Sequence, residues 1–217
     1  MDKYSFRPAT LKDIDFIVNT IIEAEKSGTD KLGLATLFNL TEDNVREYLH
    51  QILEEEIDGC EFSISSFLVA EYRGKCVAAV GGWKEGDNED ELPSAILKAN
   101  LLGYILPHES IAFTKKQADI IKGIQIERVW GSYQIEYVYV DNNHRGQNLA
   151  GKLINLHIEK SQNCKNIYVQ TFSNNNAAIH TYKKMGFIID QIYTSDNSEI
   201  EYYLPYNRKL LMKKTIQ

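Results

Sequence analysis

The stretch YVYVDNNHRGQNLAGKLI, residues 137–154, decides the fold class, because it places a strand, a polar loop and the start of a helix close together. Residues 137–140 are aromatic or β-branched, as a buried strand prefers, and the turn formers at 141–143 end that strand. From Leu149 onward the apolar residues recur with the period of a helix. A strand, a loop and a helix in this order predict an α/β domain.

The loop between this strand and this helix has the features of an anion-binding site. The N–H groups in the first turn of a helix have no partner within the helix, and the positive end of the helix dipole lies behind them. Arg145 adds a forked cation, and Gly146 lets the backbone approach a ligand without a Cβ in the way. We therefore expect the loop to bind phosphate oxygens.

The loop residues alone leave other interpretations open. Residues 146–152 read G-x-x-x-x-G-K, as in a nucleotide triphosphate P-loop, but Leu153 stands where that motif has the Ser or Thr that holds magnesium. This departure, together with the short remainder of the chain, argues against a P-loop NTPase. A strand, loop and helix also occur as an ordinary connection in any α/β domain.

A second segment, NNNAAIHTYKKMGF at residues 174–187, favours one of these interpretations. Asn175 or its neighbour can cap a short helix, and Ala178 and Tyr182 then share one helix face. Gly186 is placed to end the helix with a left-handed turn before another strand begins.

Together the two segments resemble the GCN5-related N-acetyltransferase (GNAT) family. Residues 145–150, RGQNLA, are similar to that family's pyrophosphate-binding loop, which reads Gln or Arg, two residues, Gly, one residue, Gly or Ala. Arg145 and Ala150 match the ends of this pattern, and Asn148 stands at its inner glycine. The second segment matches the family's next motif at five positions: Asn175, Ala178, Tyr182, Gly186 and Phe187. Residues 4–15, YSFRPATLKDID, look like the family's first strand and helix cap.

The resemblance implies a fold and an activity. The fold class is α/β, with a mixed, splayed central β-sheet flanked by helices. We expect a single domain over residues 1–217, with a helical insertion at about 85–127 and a cofactor-binding core at about 130–195. The implied activity is acetyl-CoA-dependent N-acetyl transfer to a primary amine, by direct attack in a ternary complex. A rival from another class is a non-catalytic acyl-CoA-binding sensor or regulatory protein on the same fold.

The resemblance also implies roles for individual residues. It puts the pyrophosphate of acetyl-CoA on the loop amides and the pantetheine arm along the strand. The implied cofactor-binding residues are Val138, Val140, Arg145, Gly146, Gln147, Asn148, Leu149, Ala150 and Asn175. Tyr182 matches the family's proton donor to the leaving thiolate, whose ordinary pKa of about 8.5 lies below that of a phenol.

Glu136 is the candidate general base, acting directly or through water. Strict alternation along a strand predicts that Glu136 shares a face with Val138 and Val140. Gln134 or a carboxylate of the insertion could face the same place. The acceptor amine itself, as a small molecule or a peptide, cannot be identified from these residues.

Composition limits the partners. The chain has 217 residues, a formal charge of −6 and a pI near 5.4, which argue against nucleic-acid or anionic-membrane binding, since both need a basic surface. No apolar run approaches the length of a membrane span, and the N-terminal residues lack the apolar region of a signal peptide, so we expect a cytoplasmic protein. Three widely spaced cysteines and five histidines without ligand spacing suggest neither disulfides nor a metal site. A homodimer is an open expectation.

Periodicity and turn residues predict the remaining elements. We expect helices from Thr10 onward, at 41–55 and through most of 92–126, the last broken at Pro107, after an acidic loop at 85–91. A hairpin over 67–83 is expected at the centre of the sheet. Further strands are predicted at 4–7, 166–170, 187–193, 201–204 and 209–212.

Overall fold

The computed structural model describes residues 3–86 and 91–216, which form helices and one mixed β-sheet. The strands are β1 (Ser5–Pro8), β2 (Phe67–Tyr72), β3 (Lys75–Lys84), β4 (Tyr133–Val140), β5 (Asn166–Phe172), β6 (Ile188–Thr194) and β7 (Arg208–Thr215). The helices are α1 (Ile14–Lys26), α2 (Gly33–Phe38), α3 (Glu42–Glu54), α4 (Ser94–Ile105), α5 (His108–Lys116), α6 (Ala118–Ile121), α7 (Leu149–Lys160), α8 (Asn176–Lys184) and α9 (Ile200–Tyr203).

The sheet is open, mostly antiparallel and splayed in the middle. Its strand order is β1-β2-β3-β4-β5-β7-β6, and β4 and β5 form the parallel pair. Their register covers only the pairs from Tyr133↔Ile167 to Ile135↔Val169, after which the two strands are no longer paired. The mixed, splayed sheet flanked by helices that the family resemblance implies is confirmed.

Helices cover both faces of the sheet and enclose two apolar clusters. On one face, α1 contributes Ile17 and Ile21 to a fully buried cluster that also contains α3 residues. On the other face, α7 buries Leu149 and Leu153 against β3, β4 and β5. These are the apolar stripes expected from the helical period in the sequence.

Local signals set several helix boundaries as predicted. Thr41 caps α3, its Oγ1 accepting a hydrogen bond from the Asn44 N–H at 3.1 Å. Pro93 and Pro107 stand immediately before α4 and α5, where a missing N–H costs nothing. The segment predicted as mostly helical therefore contains α4, α5 and α6.

Two predictions about the elements are wrong. Residues 201–204 are predicted as a strand, but residues 200–203 form the helix α9. Ile200 and Leu204, which follows the helix, are buried in the same apolar cluster. The β2–β3 hairpin is confirmed as a hairpin but lies beside the centre of the sheet, because β4 is the fourth of the seven ordered strands.

The acidic segment between β3 and α4 is only partly described, since residues 87–90 of the loop expected at 85–91 lie outside the described residues. Glu85 itself is buried. Its carboxylate accepts hydrogen bonds from Ser94 N at 3.0 Å, Ser94 Oγ at 2.6 Å and Trp83 Nε1 at 3.2 Å, so it fixes the start of α4 against β3. Across residues 3–86 and 91–216, no helix is long and apolar enough to cross a membrane.

Candidate functional site

A bulge in β4 shapes the site. Tyr137 has a φ of +54°, in the left-handed region, and the β3–β4 register shifts there, so that Gly81 pairs with Glu136 but Ala79 pairs with Tyr139. Beyond Ile135 the other edge of β4 has no strand partner among residues 3–86 and 91–216, because β5 has diverged. Backbone N–H and C=O groups along this edge can therefore accept an extended ligand as an added strand.

The bulge also corrects the prediction that Glu136 shares a face with Val138 and Val140. Tyr137 packs in the cluster under α1, where its ring stacks near Phe62, whereas Val138 and Val140 pack against the cluster under α7. Glu136 lies on the opposite face from the two valines. Strict alternation fails because the extra residue of a bulge breaks the two-residue period.

The loop after β4 has the backbone shape that a phosphate ligand requires. Gly146 has a φ of +76° and Asn148 has φ 55° and ψ 29°, so both are left-handed. Asn is among the residues that adopt this conformation most readily after glycine, so Asn148 takes the place of the family's inner glycine without losing the shape of the loop. Within the described chain, the N–H groups of residues 147–151 have no hydrogen-bond acceptor, and they surround the start of α7. Such a group of N–H donors at a helix N-terminus fits a pyrophosphate.

The splay between β4 and β5 opens a cavity of about 490 Å³. Seven of the sequence-predicted site residues line it: Glu136, Val138, Val140, Arg145, Ala150, Asn175 and Tyr182. Gly146, Gln147 and Asn148 are exposed beside its mouth, while the side chain of Leu149 is buried in the core under α7. The predicted residues thus converge on one region, and Leu149 can offer a ligand only its backbone.

Tyr182 reaches the cavity from α8. Its side chain is buried and packs edge-to-face on Phe187, with ring centroids 6.1 Å apart. Burial, and to a lesser extent the nearby Glu136 carboxylate, raises the pKa of Tyr182 above its ordinary value. The side chain therefore remains a protonated phenol at neutral pH, which is the form a proton donor needs.

Asn175 caps α8 and also joins two elements. Its Oδ1 accepts a hydrogen bond from the Ala178 N–H at 3.1 Å, and its Nδ2 donates to Ser27 Oγ at 2.9 Å. Ser27, with a φ of 52°, ends α1, so the pair fixes the distance between α1 and α8 across the cavity.

Glu136 belongs to a buried ionic network. Its Oε1 accepts hydrogen bonds from Arg128 Nη2 at 2.8 Å and from Gln170 Nε2 at 2.6 Å. Arg128 Nη2 also lies 2.8 Å from Glu61 Oε1, and Lys98 Nζ lies 3.0 Å from the same oxygen. Glu61 is fully buried, and its Oε2 has no hydrogen-bond partner among the described residues. Because Lys98 lies on α4, the helical segment between β3 and β4 contributes directly to the wall of the cavity.

Sequence reasoning missed several lining residues, chiefly Glu25, Lys98, Arg128, Gln170 and Lys209. Gln170 had a weak signal, as a polar residue at the end of a predicted buried strand. Arg128 gave no signal in the sequence, because its spacing from the two motif segments is not characteristic of any known site. It enters the site only through the fold, because its guanidinium stacks on Trp83 at 5.0 Å and pairs with Glu136.

Comparison with known proteins supports the family resemblance found in the sequence. A family model described as "Acetyltransferase (GNAT) family" matches residues 34–187. N-alpha-acetyltransferase 30 from Saccharomyces cerevisiae is 30% identical over 82 residues, which are 35% of this chain and 47% of that protein. The chain therefore spans about half the length of this curated relative.

Two solved structures share the fold. An N-acetyltransferase from Staphylococcus aureus Mu50 matches with a TM-score of 0.69 and 19% identity, over 97% of this chain and 100% of that one. An acetyltransferase from Salmonella typhimurium, solved with its cofactor acetyl-CoA, matches with a TM-score of 0.54 and 14% identity, over 100% of this chain and 95% of that one.

Proposed function

The chain belongs to the GNAT acetyltransferase family, and from this premise we propose that it transfers the acetyl group of acetyl-CoA to a primary amine by direct attack in a ternary complex. One observation carries the proposal. The anion-binding loop, the unpaired edge of β4, a buried phenol and a carboxylate all border the same cavity.

The residues present fit acetyl-CoA. The N–H groups of residues 147–151 and the guanidinium of Arg145 would hold the pyrophosphate. Backbone groups of Val138 and Val140 would hold the pantetheine arm along the edge that β5 leaves unpaired. When bound, acetyl-CoA supplies an activated acetyl thioester.

The protein's own groups then manage the protons. Glu136 takes a proton from the acceptor amine, directly or through one water, because Oε2 has no partner in the described part of the chain while Oε1 is held by Arg128 and Gln170. Tyr182 gives a proton to the departing thiolate. A backbone N–H at the β4 bulge stabilises negative charge on the acetyl oxygen, an effect typically worth about 3 kcal/mol per donor.

Membership of the family does not identify the acceptor. We propose that it is a small-molecule or peptide amine. The yeast relative is named as an N-alpha-acetyltransferase, which supports including peptide amines among the candidates.

Release of free thiol from acetyl-CoA in the presence of a panel of amines tests the activity. Thermal unfolding with and without acetyl-CoA is measured in parallel, because ligand binding to the folded state raises the melting temperature. Amine-dependent thiol release supports the proposal. A melting-temperature rise with no thiol release on any acceptor would instead identify a non-catalytic acyl-CoA sensor. If acetyl-CoA causes neither a melting-temperature rise nor thiol release, cofactor binding itself is rejected.

A further inference from the structure

Most charged side chains that line the cavity are already paired. Lys26 pairs with Glu23 at 3.3 Å and with Glu42 at 2.9 Å on the outer rim. In the interior, Lys98 and Arg128 are held by the buried carboxylates described above. These pairs balance one another, so they leave little net charge with which to attract an acceptor.

Lys209 is different. It lies on β7 opposite Phe172 of β5, and its Nζ sits 4.9 Å from the centroid of the Phe172 ring. It is half-buried in the cavity wall and forms no ion pair with any residue in the described ranges. Burial is the main cause that lowers the pKa of Lys209, although the nearby carboxylates of Glu25 and Glu136 partly oppose it. The ammonium is therefore partly withdrawn from water, and no carboxylate of the described residues lies within ion-pair distance of it.

Glu25 is a carboxylate in the same cavity that, like Lys209, forms no ion pair with a described residue. It lies in the last turn of α1 and lines the same cavity. Its Oε1 accepts a hydrogen bond from Tyr137 Oη at 3.2 Å, and it forms no ion pair among the described residues. Glu25, Glu136 and Lys209 all line this cavity, so the two carboxylates and the ammonium border one space.

We propose that the acceptor carries an anionic group, a carboxylate, in addition to its amine. Lys209 binds the carboxylate, and the amine lies on the side of Glu25 and Glu136. This inference rests on the proposed acetyl transfer and names its substrate class. In the reaction the amine nitrogen forms a bond to the acetyl carbon and loses a proton to Glu136, the carbon–sulfur bond breaks, and the thiolate takes a proton from Tyr182. The acceptor's carboxylate is unchanged.

The same charges disfavour a diamine or polyamine acceptor. A second cationic group would face Lys209 with Lys98 and Arg128 nearby, and like charges repel strongly in a desolvated cavity. A carboxylate in this position instead gives the ammonium a charge-assisted hydrogen bond, which no described residue provides.

Matched acceptors test the inference on the unmodified protein. The first pair is 4-aminobutyrate and 4-aminobutanamide, which differ in the charge remote from the amine. The second pair is a short peptide with Glu as its second residue and the same peptide with Gln there. We expect kcat/KM for thiol release to be about tenfold or more higher for the carboxylate member of at least one pair. The pair that shows the preference distinguishes a free amino acid from an acidic peptide N-terminus.

A variant assigns the preference to Lys209. Lys209→Gln should abolish the preference by lowering kcat/KM for the carboxylate member alone, and Lys209→Arg should retain much of it. Lys165→Gln, at an exposed position outside the cavity, serves as the matched control. The acetyl-CoA-induced rise in melting temperature should be the same in all variants, which shows that they fold and bind the cofactor.

The outcomes separate the two proposals. If no amine releases thiol, the acetyl-transfer proposal fails. If amines release thiol but both members of each pair react equally well, or Lys209→Gln keeps the preference, only the inference about the carboxylate is overturned.

Discussion

The side chain of Asn148 lies directly over Gly151, so that a Cβ on Gly151 would fall well inside contact distance of Asn148 Oδ1. The left-handed backbone of Asn148 holds this amide against the first turn of α7. The side chain of Asn148, which replaces the family's inner glycine, thus occupies the space that a Cβ at residue 151 would need.

This relationship predicts coupled effects on the anion-binding loop. Gly151→Ala should weaken acetyl-CoA binding, because the Asn148 side chain must turn away and disturb the loop. Asn148→Gly should restore binding to the Gly151→Ala variant, with a coupling free energy of about 1 kcal/mol. Calorimetric titration of acetyl-CoA into the two single variants and the double variant measures this coupling. Strictly additive effects would contradict the contact.

Arg145→Ala should weaken acetyl-CoA binding first. Its guanidinium borders the cavity mouth, and its Nε donates only a 3.3 Å hydrogen bond to the Val140 carbonyl, so little of the fold depends on it. We expect the dissociation constant to rise by roughly tenfold, as loss of one charge-assisted contact predicts, and the effect to shrink at high salt. The melting temperature without ligand should stay unchanged, and a large drop would show a structural role instead.

Tyr182→Phe should lower turnover while leaving acetyl-CoA affinity nearly intact. General acid catalysis is worth roughly 100- to 10,000-fold, and Phe keeps the packing against Phe187. Because burial keeps the phenol protonated, the loss should appear at every pH near neutrality. Steady-state kinetics with a saturating amine measures it, and unchanged turnover would remove Tyr182 from the mechanism.

Arg128→Met should destabilise the fold by about 3 kcal/mol or more, because it leaves two buried carboxylates, Glu61 and Glu136, without their shared cation. Glu136→Gln keeps an acceptor for Arg128 and should cost far less stability while abolishing base catalysis. Urea unfolding and thiol release, measured on both variants, separate the two roles. Equal loss of stability in both variants would show that Glu136 is mainly structural.

The buried, neutral side chain of His157 should make the folded protein less stable in mild acid. Its Nε2 lies 2.9 Å from the Val80 carbonyl and must donate, so its Nδ1, 2.9 Å from Tyr133 Oη, accepts; the buried ring is therefore neutral. Burial lowers the pKa of His157 to about 4, below the value near 6.5 of an unfolded chain. The stability is fully present above pH 6.5 and is lost as the pH falls toward 4, because the unfolded state then binds the extra proton.

We therefore expect the free energy of unfolding to fall by about 2 kcal/mol between pH 7.5 and pH 5. His157→Gln should flatten this dependence, whereas His180→Gln, at an exposed position on α8, should leave it unchanged. Urea denaturation across this range measures both, and the same slope in His157→Gln as in the unmodified protein would contradict the assignment.

The segments that sequence reasoning described correctly are those whose physics is local. The left-handed turn at Gly186 and the cap at Asn175 both depend on a residue and its near neighbours. The helix α9 was missed because it is only four residues long, and the burial of Ile200 that accompanies it involves contacts with distant elements.

The sequence by itself predicted the anion-binding loop, because turns, caps and helical periods act over a few residues. It also resembled the family, and that resemblance alone implied Tyr182 as the candidate proton donor. Only the tertiary structure decided which face Glu136 occupies, since the bulge at Tyr137 breaks the alternation. It alone also brought Arg128, Gln170 and Lys209 to the cavity. Gln170 on β5 and Lys209 on β7 meet there because β5 diverges from β4 and pairs with β7, and such pairing between distant strands cannot be read from local patterns. Arg128 is placed there by its contacts with Trp83 and Glu136.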